Sequence, residues 1–234
     1  MKYKRILLKI SGESLSGSSG QGIDTQILHY FASEIKSIYD MGTQIGVVIG
    51  GGNIFRGLQG ANKGFDRVQG DYMGMLATVI NSMALQGELE NQKVKSTILS
   101  GLTIDPLCER MSSKKAVHLL EEGYVVIMAC GTGNPFFTTD SGGALRSIEI
   151  KADVLLKGTR VNGVYDKDPE RYNDAVKYDA LTFDEAYKKE LHIMDLTAFT
   201  LCKENNMPII VFNMNEKENL KKIILGENIG TLIN

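Results

Sequence analysis

Four times in this chain a short apolar run empties into a glycine-rich polar stretch. RILLKI runs into SGES, QIGVVI into GGGNIFRG, YVVIMAC into GTGNPFFTTD, and DVLLK into GTRVNGVYDKDP. If the runs are parallel strands, all four stretches gather at one edge of a sheet, the carboxyl edge where open α/β sheets bind ligands. Glycines there let backbone N–H groups approach an anion closely, and a following helix N-terminus adds partial positive charge. With Lys9, Arg56 and Lys157 among them, the stretches suit a ligand that carries several phosphates.

The segments between the runs have helical spacing. Asp24 heads a helix with Ile27, Leu28, Phe31, Ile35 and Ile38 at intervals of three and four, ending at Gly42. Tyr72, Met75, Leu76, Val79 and Met83 outline a second helix, and further helices are expected from about Ser113 to Glu122, from Asp140 to about Ile150, after Asp195, and from about Glu216 to Leu225. Thr182 with Glu185 forms a capping box. Strands are expected at Lys4–Ile10, Gln44–Ile49, Ser96–Leu99, Tyr124–Ala129, Asp153–Lys157 and Pro208–Phe212. Strands alternating with helices require crossover connections, hence an α/β fold with a largely parallel sheet covered on both faces. No linker or repeat interrupts the 234 residues, which reads as one domain; residues 161–181 are left without assigned elements.

Several functional classes recede on composition. A net charge of −2 gives no broad surface for nucleic acid or anionic membranes, so any anion site is local. The longest apolar run, Tyr124 to Cys130, is far short of the roughly 20 residues that span a bilayer. Cys108, Cys130 and Cys202 lie far apart with no CxxC, an arrangement that suits neither a disulfide framework nor a structural zinc site. The chain reads as cytoplasmic and reduced.

Each motif has a plain reading beside the chemical one. GGGN does not continue as a dinucleotide fingerprint, because Phe55 stands at the third glycine position, and with no Gly-Lys dipeptide there is no Walker A loop. Three adjacent glycines at a strand end point to a phosphate cradle rather than a mere turn, with Arg56 able to fork onto phosphate oxygens. Lys9 is either an end-of-strand snorkelling side chain or a charge aimed at the ligand edge; the converging glycine stretches favour the second. Asn134 offers donors and an acceptor, which suits the edge of a nucleobase. Asp140 is a helix cap, a holder of a nearby lysine, or both. The three histidines have no partners at useful spacing and receive no chemistry.

Taken in order, KISGES, VVIGGGNIFRG, DYMGMLAT, GTGNPFFTTDSGG, GVYDKDP and MDLTAF with VFNMN resemble the bacterial uridylate (UMP) kinases of the amino-acid kinase fold group, over essentially the whole chain. The resemblance implies a three-layer α/β/α sandwich, a homohexamer, and transfer of the γ-phosphoryl of MgATP to UMP in the supply of UTP and CTP. It implies that Lys9, Ile10, Ser11, Gly12, Gly52 and Arg56 serve the ATP phosphates, and Thr159, Tyr165 and Asp168 the adenosine. Gly51, Asp71, Thr132, Gly133, Asn134, Pro135, Phe136, Phe137, Thr138 and Thr139 fall on the UMP side, with Asp71 toward the ribose. Gly17, Ser18, Ser19, Gly20, Gln21 and Gly22 lie where the family places a GTP-responsive segment, with UTP as an inhibitor. Lys9, Asp140 and Lys157 are the expected catalytic set, Asp140 orienting Lys9, and Mg²⁺ is expected to be held mainly by nucleotide phosphates. Two rivals remain: a kinase of the same fold with a carboxylate or carbamate acceptor, and a non-enzymatic nucleotide sensor.

Overall fold

The structure is a computed structural model, and it describes residues 1–55, 64, 66–191 and 193–234. The first half of the chain runs β1 (Arg5–Ile10), α1 (Thr25–Tyr39), β2 (Gln44–Ile49), α2 (Arg67–Asn91), β3 (Ser96–Ser100) and β4 (Glu109–Arg110). Then follow α3 (Ser113–Glu121), β5 (Val125–Ala129), α4 (Thr139–Glu149) and β6 (Val154–Thr159). The remainder is β7 (Ala180–Leu181), α5 (Phe183–Lys188), α6 (Leu196–Glu204), β8 (Ile209–Asn213), α7 (Asn219–Leu225) and β9 (Thr231–Ile233).

The strands form one sheet in the order β4-β3-β5-β2-β1-β6-β8-β9-β7, and every neighbouring pair except β8–β9 is parallel. The strand order reverses at β1, with β2 on one side and β6 on the other. That is where open α/β sheets form ligand crevices.

Alternation along the strands builds two cores. Ile6, Leu8 and Ile10 of β1 join Ile127, Leu156 and Phe212 beneath α1, α2 and α7. Leu7 joins Val48, Val126, Met128 and Leu155 beneath α3, α4 and α6. Two helical layers therefore flank the sheet, as expected. By the period of two, Lys9 follows Leu7 to the second face and Lys157 follows Leu155.

The predicted elements correspond to observed ones with small shifts at their ends, and the exceptions have physical causes. Asp24 caps α1 through the N–H groups of Gln26 and Ile27, and the Thr182–Glu185 capping box is formed. α7 begins at Asn219 rather than near Glu216. The helix that starts near Asp140 is capped by Thr138, whose hydroxyl accepts from the Ser141 N–H; the Asp140 carboxylate is left free for other work. On α2, Met75 and Val79 are buried, but Tyr72, Leu76 and Met83 point outward together with Ile80. The inward face of α2 carries Thr78, Asn81 and Ser82 beside Leu85 and Leu89, and Thr78 and Asn81 meet backbone groups of Cys130 and Gly50 at the sheet edge. β4, β7 and β9, of two or three residues each, had no sequence counterpart.

Candidate functional site

The lysines of β1 and β6 meet because the strands pair in register, Lys9 opposite Lys157. Between them lies the carboxylate of Asp140, in the first turn of α4. Its Oδ1 forms an ion pair with Lys9 Nζ at 2.8 Å, and its Oδ2 accepts from Lys157 Nζ at 2.7 Å. Lys157 also donates to the carbonyl of Ile193. Burial pushes the Asp140 carboxyl up, but Lys9 and Lys157 outweigh it and hold the group below its ordinary pKa. Burial lowers the Lys157 ammonium below its ordinary range, with Lys9 adding to the effect and Asp140 opposing it. Within the cluster two cations face one anion at the start of a helix whose dipole is also positive, and the Asp195 carboxylate, close enough to oppose the lowering of the Lys157 pKa, offsets part of that charge.

A first cavity, of about 480 Å³, opens beyond the ends of β2 and β5. Its size is in the range of roughly 300–1,000 Å³ usual for small-molecule sites. Gly51, Gly52, Asp71, Thr132, Asn134, Phe137, Thr138 and Thr139 line it. The GTGN loop leaves β5 through two left-handed residues, Cys130 (φ 60°) and Gly131 (φ 51°). Left-handed backbone at a non-glycine such as Cys130 costs about 1–3 kcal/mol and needs support. The Cys130 N–H donates to Thr78 Oγ1 at 2.8 Å, and the Gly131 carbonyl accepts from Arg146. Gly133 fills a place closed to other residues: a Cβ there would lie 2.6 Å from the Gly101 carbonyl oxygen, and its φ is 82°. Asp71 is held at the cavity wall by Arg67 Nε and by the Phe136 N–H at 2.8 Å.

The GGGN loop is fixed by a buried amide pair. Asn81 Nδ2 donates to the Gly50 carbonyl and to Asn53 Oδ1, both at 2.7 Å, and Asn53 Nδ2 donates in turn to Asn81 Oδ1 and to the Gly22 carbonyl. Gly12 packs so closely here that an added Cβ would lie 2.3 Å from the Gly50 carbonyl oxygen. Buried polar groups hydrogen-bonded in this way make a rigid platform.

A second cavity, of about 560 Å³, is lined by Lys9, Ser11, Ser14, Gly17, Lys157 and Arg160 among others. A third, of about 480 Å³, shares Lys157 and Thr159 with it and extends along Tyr165, Asp166 and Asp168. The cation–carboxylate cluster stands between the first cavity and the other two: Thr138 and Thr139, just before Asp140, line the first, while Lys9 and Lys157 line the second.

The expected residues thus fall into places of different kinds. Lys9, Asp140 and Lys157 come together, and Thr159, Tyr165 and Asp168 share one cavity. Ser11 lines the second cavity, whereas Ile10 is a buried core side chain and Gly12 a close-packing position. Gly52, expected with the ATP phosphates, lines the first cavity beside Gly51. Gly133, Pro135 and Phe136 shape the loop rather than line the cavity, Phe136 through its N–H on Asp71. Arg56 lies outside the described residues, as does His192. Residues 17–22 form a turn joined to Asn53 by the Gly22 N–H and carbonyl, and Gly17 borders the second cavity.

Sequence reasoning assigned no site role to Asp195, Arg67, Thr78, Asn81 or Arg146. Asp195 caps α6 and also accepts from the hydroxyls of Thr138 and Ser141, tying α6 to the start of α4. Its one sequence signal was its position before a helix.

Residues 4–213 match the amino acid kinase family. The chain is 60% identical to a uridylate kinase of Parabacteroides distasonis over 99% of its length and 98% of the relative's. It is 59% identical, over the same shares, to a uridylate kinase of Phocaeicola vulgatus. Among solved structures, the UMP kinase from Bacillus anthracis superposes with a TM-score of 0.96 at 38% identity, covering all of this chain and 97% of that one. The UMP kinase from Ureaplasma parvum superposes with 0.93 at 35% identity over the whole of both chains. This chain belongs to the amino acid kinase family and, within it, to the uridylate kinases.

Proposed function

We propose that this chain transfers the γ-phosphoryl group of MgATP to UMP, giving ADP and UDP for pyrimidine nucleotide synthesis. The observation that carries the reading is the Lys9–Asp140–Lys157 cluster, standing where one cavity meets two others. The first cavity takes UMP, with Thr132 and Asn134 toward the base and Asp71 toward the ribose. The second and third take the ATP phosphates and adenosine.

The acceptor accounts for the chemistry required of the protein. A phosphate monoester has a second pKa of about 6, so UMP at pH 7 is already mostly a dianionic nucleophile. No general base is needed; the work is to bring two polyanions together in line and to neutralise charge on the moving group. Backbone N–H groups at the start of α4 and in the GGGN loop face the acceptor phosphate. Lys9 and Lys157 supply the positive charge at the transfer point. Asp140 offsets the repulsion between the two ammonium groups and fixes their direction. Phosphate-facing positions here carry N–H groups and lysines, with Glu13 also on the wall of the second cavity, while Asp140 is committed to both lysines. Mg²⁺ would be held mainly by the nucleotide phosphates, whose charge it would neutralise.

The chain is taken to work as a single cytoplasmic domain, its sheet being continuous from β4 to β7. Among the described residues no helix is long and apolar enough to cross a membrane. Assembly as a homohexamer would cover the outward stripe of α2, where Tyr72, Leu76, Ile80 and Met83 are 40–50% exposed. GTP activation and UTP inhibition complete the reading, residues 17–22 being the responsive segment.

The test is a coupled assay of ADP formation with ATP and UMP, beside carbamate and N-acylated glutamate. ADP release that requires UMP is the expected outcome. Turnover with a carboxylate or carbamate instead, or none with any acceptor, would sink the proposal.

A further inference from the structure

Arg146 stands in the last turn of α4, where an arginine is ordinarily a solvated complement to the helix dipole. Here it is only 5% exposed. Its Nε and Nη2 both donate to the carbonyl of Gly131, at 3.2 and 2.8 Å, and its Nη1 pairs with Glu149 at 2.5 Å. It does not line the first cavity; it reaches the GTGN loop from behind.

The same loop is held on the opposite side of the sheet. Thr78 of α2, in the other helical layer, accepts the Cys130 N–H. The left-handed pair Cys130–Gly131 is thus clamped from both layers at the point where the chain turns out of β5. Beyond the clamp, Thr132 and Asn134 project into the cavity with little of their own support: Thr132 Oγ1 accepts from the Asn134 N–H at 3.2 Å, and the Gly133 N–H returns to the Cys130 carbonyl. Two N–H donors of one guanidinium converge on the Gly131 carbonyl oxygen and hold its position more firmly than one donor would, while the Thr78 bond holds the Cys130 N–H. Thr132 and Asn134 leave the loop from a backbone held at these two points.

We propose that Arg146 is a positioning residue for recognition of the acceptor base, setting the loop that carries Thr132 and Asn134. The inference rests on the reading of the first cavity as the UMP site. A base is told apart by whether fixed donors and acceptors meet their partners, and a loop free to tilt meets a wrong base nearly as well as the right one. Lysine at this position keeps the charge beside Glu149 but loses the planar fork.

The test measures kcat/KM for UMP and for CMP in wild type, Arg146→Lys and Glu149→Gln. The UMP-to-CMP ratio is expected to fall about tenfold in Arg146→Lys, and less in Glu149→Gln, where the fork remains but its anchor is weakened. Hydrogen exchange should quicken at the amides of residues 131–134 ahead of the rest of the sheet edge. A purely structural loss scales both substrates together and leaves the ratio alone. An unchanged ratio in both variants overturns the inference; if Arg146→Lys does not fold, the ratio and the exchange in Glu149→Gln decide it. Wild-type protein that does not phosphorylate UMP defeats the functional reading instead, and so the two failures are distinct.

Discussion

The two sides of the site are built on different principles. On the proposed UMP side, polar residues carried on glycine-rich loops line the cavity, and buried side chains hold those loops from behind: Asn81 with Asn53, Thr78 with Cys130, Arg146 with Gly131. On the proposed ATP side, long charged side chains reach the ligand edge directly, and sheet register brings Lys9 beside Lys157. One side is specified by shape, the other by charge. Selectivity should therefore reside in the first and rate in the second.

The largest effect that could break this division is on Lys9. Removing one preorganised charge from a developing oxyanion costs about 2.7–4 kcal/mol, or about a hundred- to a thousandfold in rate. Lys9→Ala is expected to lose that much kcat while keeping its UMP-to-CMP preference. Steady-state kinetics with both nucleotides checks it; a collapse of the preference with kcat preserved would reverse the two roles.

Asn134→Ala is the complementary change. Leaving one polar partner of a buried contact unpaired costs about 1–3 kcal/mol, so the preference for UMP over CMP should narrow by about five- to 150-fold. The kcat with saturating UMP should move less than in Lys9→Ala. If the kcat/KM ratio for the two substrates is unchanged, the base contact lies elsewhere in the cavity.

The two sides also differed in how legible they were. Lys9 and Lys157 could be singled out as charged residues in otherwise apolar runs. Their meeting could not, because β1 and β6 are far apart in sequence and become neighbours only through the reversal of strand order at β1. Asp140 was ambiguous because Thr138, Thr139 and Asp140 are all able to cap a helix, and only the observed Thr138–Ser141 bond frees the aspartate. The supports of the UMP side were harder still. An arginine in the last turn of a helix reads as a surface charge, and the apolar residues of α2 read as its buried face. In fact Leu76 and Met83 face outward while Thr78, Asn81 and Ser82 turn in. Helical periodicity finds a face, but it does not say whether that face meets a core or a polar loop.

A smaller effect sharpens the charge side through pH. The folded-state pKa of Asp140 is depressed, so its contribution to stability is fully present above the unfolded value of about 3.9 and is lost as pH falls through the folded value. The melting-temperature gap between wild type and Asp140→Asn should hold steady from about pH 7 to 5 and shrink below about pH 4. A gap that widens on acidification would mean that the carboxylate is not stabilised by the two lysines.

The smallest expected effect lies where the two sides touch, in residues 17–22. Gly17 borders the second cavity, while Gly22 is bonded to Asn53 of the platform. A change in this turn can therefore reach both sides. Gly17→Ala is a poor probe, because its Cβ would lie 2.4 Å from Asp24 Oδ2 and disturb the cap of α1. Gly20 is cleaner: nothing lies within 4 Å of an added Cβ, and only its left-handed φ of 68° is penalised, at about 1–2 kcal/mol. An effector acts only through its different affinity for two states, and the coupling is reciprocal. If GTP works through this turn, it should shift the UTP inhibition curve of the wild type, and Gly20→Ala should reduce that shift with little change in basal kcat. Curves with and without GTP that superimpose in the wild type would leave the segment a surface turn with no regulatory part. A shift that survives unchanged in Gly20→Ala would place the coupling in another segment.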